Sequence, residues 1–259
     1  MIQVAIIGAG FIGPAHLEAL RRLGDVEVVA LCDSRLEAAQ RKAQALNIAH
    51  AYDSVEALLA HPGLQVVHNC TPNHLHAQIN RQILAAGLHV FSEKPLCMTV
   101  EEARELVALA ARAGVVHGVS FVYRQFAMVQ QAAAMIRHGD VGRIFAAHGS
   151  YLQDWMLLET DYNWRVDSAQ GGASRTVADI GSHWCDTVQF MSGRRIVEVM
   201  ADLSIVWPTR KAPVNGKATF SAVHEAQAYE TRPVDTEDFG SVLLRFDDGS
   251  KGSLMVSQV

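Results

Sequence analysis

No stretch of this chain approaches the roughly 20 consecutive apolar residues that a bilayer-spanning helix needs, so no membrane partner is expected. Positive charge is not in surplus either: 22 Lys and Arg face 27 Asp and Glu, for a net charge of −5. Without a basic field, nucleic acid and anionic lipid are not expected partners. Cysteine is scarce. The four cysteines, Cys32, Cys70, Cys97 and Cys185, contain no C-x-x-C pair. They read as reduced thiols packed as small hydrophobes in a cytoplasmic protein. The opening residues Met1-Ile2-Gln3-Val4-Ala5-Ile6 lack a basic segment and read as a strand, not a signal peptide. Internal repeats and low-complexity tracts are missing too. What is present is an ordinary globular composition, 259 residues with 49% hydrophobic and 19% charged, enough for one large domain or two modest ones.

The first 120 residues alternate strands and helices. Strands are expected at 3–8, 26–33, 50–52, 66–70, 89–92 and 115–121, with helices at 11–23, 34–46, 54–60, 73–86 and 99–114. Ser34 with Glu37, and Thr99 with Glu102, have capping-box spacing, while Gly87 and Gly114 sit at helix ends. The strands are apolar without two-residue alternation, the mark of a parallel sheet covered on both faces. Residues 121–259 differ. A helix at 125–138 precedes long strands at 143–153, 196–207, 239–246 and 251–259, with one more helix at 181–191 and a hairpin turn at Asp247-Asp248-Gly249. The expected fold class is therefore α/β: a doubly wound parallel sheet over 1–120, then an α+β domain over 121–259 with an open-faced, largely antiparallel sheet. Residues 208–235 are polar and read as a long surface loop. The sequence stops within its last strand, so the second domain is expected to be incomplete.

Gly8-Ala9-Gly10-Phe11-Ile12-Gly13 follows the first strand and opens the first helix. In that context G-x-G-x-x-G is a dinucleotide fingerprint. Gly8 permits the turn, Gly10 admits the pyrophosphate, and Gly13 lets helix and strand pack closely. The helix start offers free N–H groups to phosphate. Asp33 ends the second strand, where a carboxylate accepts the adenosine ribose hydroxyls and repels a 2′-phosphate. This favours NAD, with NADP left open by Arg35. Thr71-Pro72-Asn73 opens the helix after the fourth strand, at the ligand crevice of such a sheet. Thr71 and Asn73 would meet phosphate or ribose there, or Asn73 would simply cap the helix. His74 and His76 stand two apart on a helix and do not face together, which argues against a metal pair.

Asp179, His183 and Asp186 are spaced i, i+4 and i+7, so a helix would present them on one face. A carboxylate beside an imidazole fixes its tautomer and raises its basicity, as a general base removing a hydroxyl proton requires. The same spacing also suits a capping Asp179, a core His183 and a surface Asp186. Lys94 tips the balance. It follows the strand at 89–92, at the same sheet end as the glycine loop and Thr71, where it can donate to a substrate hydroxyl and stabilise developing alkoxide. Glu93 could hold it by a salt bridge.

The glycine motif, Thr71-Pro72-Asn73-His74-Leu75-His76, Glu93-Lys94-Pro95 and Asp179-x-Gly181-x-His183-x-x-Asp186 together resemble the glucose–fructose oxidoreductase/inositol dehydrogenase (Gfo/Idh/MocA) family over the whole chain. The resemblance implies that Lys94, Asp179 and His183 are catalytic, with His183 as acid/base. It implies that the cofactor meets Gly8, Gly10, Phe11, Ile12, Gly13, Asp33, Arg35, Thr71, Pro72, Asn73, His76, Glu93 and Lys94. Substrate contact is implied for Lys94, Asp179, His183 and Asp186. Tyr151, Gln153 and Trp155, with Trp164 and Arg165, resemble the substrate strand and loop of family members acting on sugars. Such aromatic faces with Gln and Arg suit a polyhydroxylated ring, although Trp155 and Trp164 would also serve as packing. The family commonly carries Asn where Val122 precedes Tyr123-Arg124.

The expected function is hydride transfer between a sugar, cyclitol or sugar-derivative hydroxyl and a nicotinamide cofactor. The competing reading is a dinucleotide-binding sensor or regulator without turnover. The uncovered apolar face of the second sheet is expected to meet a second copy in a homo-oligomer, a dimer or tetramer.

Overall fold

The computed structural model describes residues 1–214 and 228–259, and the chain divides into two compact units, Met1–Ser120 and Phe121–Val259. The first unit runs β1 (Ile2–Ile7), α1 (Gly13–Arg21), β2 (Val26–Cys32), α2 (Leu36–Ala45), β3 (His50–Tyr52), α3 (Val55–Leu59), β4 (Val66–Asn69), α4 (Asn73–Ala85), β5 (His89–Ser92), α5 (Val100–Ala113) and β6 (His117–Val119). Its six strands lie in the order β3-β2-β1-β4-β5-β6, and every pair is parallel. The apolar run of β1 follows from its central place. Ala5 and Ile7 enter the core cluster on one face, and Val4 and Ile6 enter the cluster on the other. Each such branched side chain contributes about 1.5–3 kcal/mol on burial. The strand order reverses between β1 and β4, so the loops leaving those strands frame the crevice of a doubly wound sheet.

The helix starts divide the capping expectations. Thr99 Oγ1 accepts the Glu102 N–H at 3.2 Å, while Glu102 returns its carboxylate to the Met98 N–H. Ser34 does not cap α2. Its N–H and hydroxyl both donate to Asp33 Oδ1, and Arg35 takes the cap position with no side-chain bond. The carboxylate one residue back is the nearer acceptor for that hydroxyl. The expected strand at 115–121 shortens to β6, and a 3₁₀ turn follows at Val122–Gln125.

The second unit runs α6 (Ala127–His138), β7 (Ala146–Leu152), α7 (Ser168–Gly171), α8 (Ser182–Ser192), β8 (Ile196–Ser204), β9 (Thr209–Pro213), β10 (Tyr229–Pro233), β11 (Phe239–Phe246) and β12 (Lys251–Ser257). Four strands form a mixed sheet in the order β7-β12-β11-β8, with only β7 and β12 parallel. Alternation along β11 and β12 is clean: Val242, Leu244, Leu254 and Val256 are buried under Ile180, Trp184 and Cys185. The α8 helix comes so close that a Cβ on Gly149 would lie 2.6 Å from the Trp184 indole nitrogen. The opposite face carries exposed Met200, Leu243 and Met255 around a concavity of about 690 Å³ that also touches His148 and Asp202.

The expected loop at 208–235 is corrected: β9 and β10 pair antiparallel, Thr209 with Pro233 through Pro213 with Tyr229. Alternating Arg210 and Ala212, both buried, give β9 its inward face. The middle of that expected loop lies outside the described residues. A buried ion cluster anchors this region. Asp238, 0% exposed, takes the guanidinium of Arg175 and that of Arg210, the latter at 2.7 Å, and accepts the Val206 and Trp207 N–H groups. Neighbouring Glu237 accepts the backbone N–H groups of Arg175 and Val177 and the Ser174 hydroxyl. The chain is thereby fixed just before the segment that carries Asp179 and His183.

Candidate active site

The glycine loop explains its three glycines by distance. Gly8 has φ +97°, and a Cβ there would lie 2.5 Å from the Cys70 carbonyl oxygen. A Cβ on Gly13 would lie 2.4 Å from the Gly8 carbonyl oxygen, so α1 could not approach the strand. At Gly10 a Cβ would meet nothing within 4 Å. That open space borders the start of α1, which no side chain caps, and it fits the pyrophosphate of a dinucleotide. Phe11 is exposed, and Ile12 packs on the core. Asp33 braces this loop from the end of β2: its Oδ2 accepts the Ala9 N–H at 3.1 Å. Arg35 is exposed just beyond β2, two residues after Asp33.

The loop after β4 is held from beneath. Asn69 Oδ1 accepts the Thr71 hydroxyl at 2.7 Å, and Asn69 Nδ2 donates to Asn80 Oδ1 at 2.9 Å. Asn80 then donates to Ser92 Oγ, so β4, α4 and β5 are tied by one buried chain of side chains. Pro72 takes the cap position of α4, and Asn73 begins the helix. His76 was expected at the cofactor. It is 1% exposed, and its ring nitrogens lie 2.6 Å from the Pro95 carbonyl and 2.7 Å from that of Thr71. Both nitrogens face backbone carbonyls below the two loops, so His76 holds the loops that carry Thr71 and Lys94. Lys94 is half-buried after β5, and its backbone N–H donates to Glu93 Oε2.

In the second unit the segment that carries Asp179 and His183 is not a plain helix. A π turn spans Val177–Gly181 and runs into α8. Asp179 lies inside the π turn, so it does not cap the helix, and the wider winding resets its direction relative to His183. Asp179 Oδ2 accepts Gln258 Nε2 at 2.8 Å, and Arg165 Nε stands 3.6 Å from Oδ1. Gln258 is 0% exposed and is fixed by Thr176. His183 is buried and stacks on the Tyr123 ring, with centroids 4.4 Å apart, while Phe121 meets it edge-on. The Tyr123 and Tyr151 hydroxyls share a hydrogen bond. Burial foremost, then the bond with Tyr123, pushes the Tyr151 pKa up, so this phenol stays protonated and able to donate. Gln153 accepts the Trp155 indole N–H at 3.0 Å. Arg165 lies over the Trp164 ring at 4.5 Å. Trp155 also packs on the small core of Met156, Val166 and Val234.

Asp186 is taken up by Arg124 in a two-pronged ion pair, Nε to Oδ2 at 2.8 Å and Nη2 to Oδ1. Its carboxylate would meet a substrate only alongside that guanidinium. Tyr123, Arg124 and Gln258 are the partners that sequence reading left out. Tyr123-Arg124 stood beside a family motif, but Gln258 lies 79 residues from Asp179, and no local pattern joins them.

Known proteins match the chain along its whole length. Residues 2–121 match the description "Oxidoreductase family, NAD-binding Rossmann fold", and residues 129–259 match "GFO/IDH/MocA C-terminal domain". Levoglucosan dehydrogenase of Pseudarthrobacter phenanthrenivorans is 30% identical over 263 residues, covering 98% of this chain and 66% of that protein. D-glucoside 3-dehydrogenase of Escherichia coli is 34% identical over 196 residues, covering 74% of this chain and 54% of that protein. Among solved structures, levoglucosan dehydrogenase in complex with NADH and L-sorbose superposes with a TM-score of 0.89 at 29% identity, covering 100% of this chain and 67% of the other. The chain thus spans about two thirds or less of the length of these relatives.

Proposed function

The chain belongs to the GFO/IDH/MocA family of oxidoreductases with an NAD-binding Rossmann domain, and from that premise we propose that it moves a hydride between a sugar or cyclitol hydroxyl and NAD. The dinucleotide would lie against Gly8, Gly10 and Gly13, with its ribose hydroxyls on Asp33, and when bound it supplies the hydride acceptor. His183 takes the hydroxyl proton at a ring nitrogen. Asp179 supports the charge that His183 gains, and Gln258 with Arg165 keeps that carboxylate in place. Lys94 donates a hydrogen bond to the reacting oxygen and stabilises the alkoxide as the hydride leaves. Tyr151 and Gln153 donate and accept along one side of the sugar, and Trp164 with Arg165 offers a flat face to its ring.

The observation that carries this reading is His183: buried, stacked on Tyr123, and four residues from a carboxylate that Gln258 and Arg165 hold. The levoglucosan and glucoside dehydrogenases among the relatives support a polyhydroxylated substrate. The exposed Met200, Leu243 and Met255 face supports assembly with a second copy. The test is NADH formation from levoglucosan, D-glucosides, D-glucose and myo-inositol, with NAD and NADP compared for each. At least one should reduce NAD faster than NADP. Cofactor binding with no turnover of any sugar would sink the dehydrogenase reading and leave the sensor.

A further inference from the structure

Lys94 is bracketed by two buried histidines. Before it in the chain stands Glu93, only 14% exposed at its side chain. A buried carboxylate is costly unless donors surround it, and Glu93 has three. Oε1 accepts His16 Nε2 at 2.9 Å, Oε2 accepts the Lys94 N–H at 3.1 Å, and the Ser120 hydroxyl supplies the third. Burial alone would raise the Glu93 pKa, but the bonds from His16 and Ser120 outweigh it and hold the carboxyl below the ordinary range. After Lys94 comes Pro95, whose carbonyl faces His76.

His16 lies in the first turns of α1, the helix that the glycine loop opens. An ionised carboxylate cannot donate, so the hydrogen between His16 and Glu93 belongs to His16 Nε2. The other nitrogen, Nδ1, stands 2.8 Å from His68 Nδ1, where one proton must be shared. Either His16 donates there as an imidazolium, or a neutral His16 accepts from His68. In both arrangements Nε2 still donates to Glu93. Phe91 packs on both imidazoles, with centroids 5.8 and 5.1 Å away. His16 is 8% exposed, and its ring is spent on Glu93 and His68.

We propose that His16 is a positioning residue for Lys94: from the cofactor helix it clamps the Glu93 carboxylate, whose second oxygen fixes the backbone on which the lysine stands. The proposal rests on the reading of Lys94 as the group at the reacting oxygen. It ties the helix that greets the dinucleotide to the lysine that serves the substrate.

Two polar substitutions separate this role from mere packing. In His16→Gln the amide nitrogen reaches where Nε2 stood and can still donate to Glu93. In His16→Asn it reaches only where Nδ1 stood, towards His68. Turnover with the best sugar should fall on the order of tenfold or more in His16→Asn and stay within about threefold of wild type in His16→Gln. The KM for NAD should hardly change in either. Independently of any substrate, hydrogen exchange of the Lys94 amide should accelerate in His16→Asn and keep its protection in His16→Gln. Glu93→Gln, which alters the same bond from its other end, should behave as His16→Asn does and serves if that protein does not fold. Equal turnover and equal Lys94 protection in the Gln and Asn proteins would overturn the proposal. If the wild type turns over no sugar, the dehydrogenase reading fails, and the exchange experiment alone still decides whether His16 holds Lys94.

Discussion

Acidification should weaken the first unit, and His68 carries a defined share of that loss. It sits in β4 against His16, Glu93 and Phe91. Burial, reinforced by the charge of His16 and only partly offset by Glu93, lowers its pKa from 6.5 to about 4. The unfolded chain takes up a proton near 6.5, while the folded chain refuses it until about 4. Between those values the unfolded state binds more protons, so stability falls as pH falls. The shift is worth about 3.4 kcal/mol in full, at about 1.36 kcal/mol per pH unit. About 2 kcal/mol of that is lost between pH 7 and pH 5, and about 3 kcal/mol by pH 4. His68→Phe keeps a ring against Phe91 and has no proton to accept. Its stability should therefore be flatter over this range by the same amount, whatever it loses at neutral pH. The four tryptophans, Trp155, Trp164, Trp184 and Trp207, all lie in the second unit. Unfolding of the first unit is better followed in urea by far-ultraviolet circular dichroism at each pH. Equal pH slopes for wild type and His68→Phe would refute the argument.

Asp238→Ala would leave the buried guanidiniums of Arg175 and Arg210 without their shared carboxylate, and should cost about 3–5 kcal/mol in the second unit, read by tryptophan fluorescence in urea. Gly10→Ala adds a Cβ that meets no protein atom within 4 Å. It should leave the melting temperature unchanged and weaken NADH binding measured by fluorescence titration; unchanged affinity would remove the phosphate from that space. Leu243→Glu places a charge in the middle of the exposed sheet face, and light scattering should report a lower oligomeric state than for wild type. A wild-type monomer at micromolar concentration would contradict assembly through that face.

The Rossmann half was legible because its signals are local. Continuous apolar strands, Gly8-x-Gly10-x-x-Gly13 and the Thr99–Glu102 spacing each act within a few residues, and all lead to observed elements. Where two local acceptors competed, the reading failed: Asp33 outcompeted the helix start for the Ser34 hydroxyl. The polar stretch at 208–235 hid β9 and β10 because buried Arg210 looks polar in sequence and is satisfied by distant groups, the Asp238 carboxylate and the Leu158 and Asp161 carbonyls. The site followed the same division. Asp179 and His183 stand out by spacing, but the π turn that resets their angle and the Gln258 that fixes Asp179 depend on tertiary contacts. His76 belongs to the crevice motif in sequence, but its contacts with the Thr71 and Pro95 carbonyls depend on burial that no local pattern announces.

The central claim is that His183 is the acid-base residue, and His183→Ala tests it most directly. With NAD and the best sugar of the panel, turnover should fall by a factor on the order of 10² to 10⁴, the usual worth of one positioned acid-base group. NADH affinity and melting temperature, measured beside it, should stay close to wild type. A folded His183→Ala protein that binds NADH and oxidises the sugar at the wild-type rate would contradict the account.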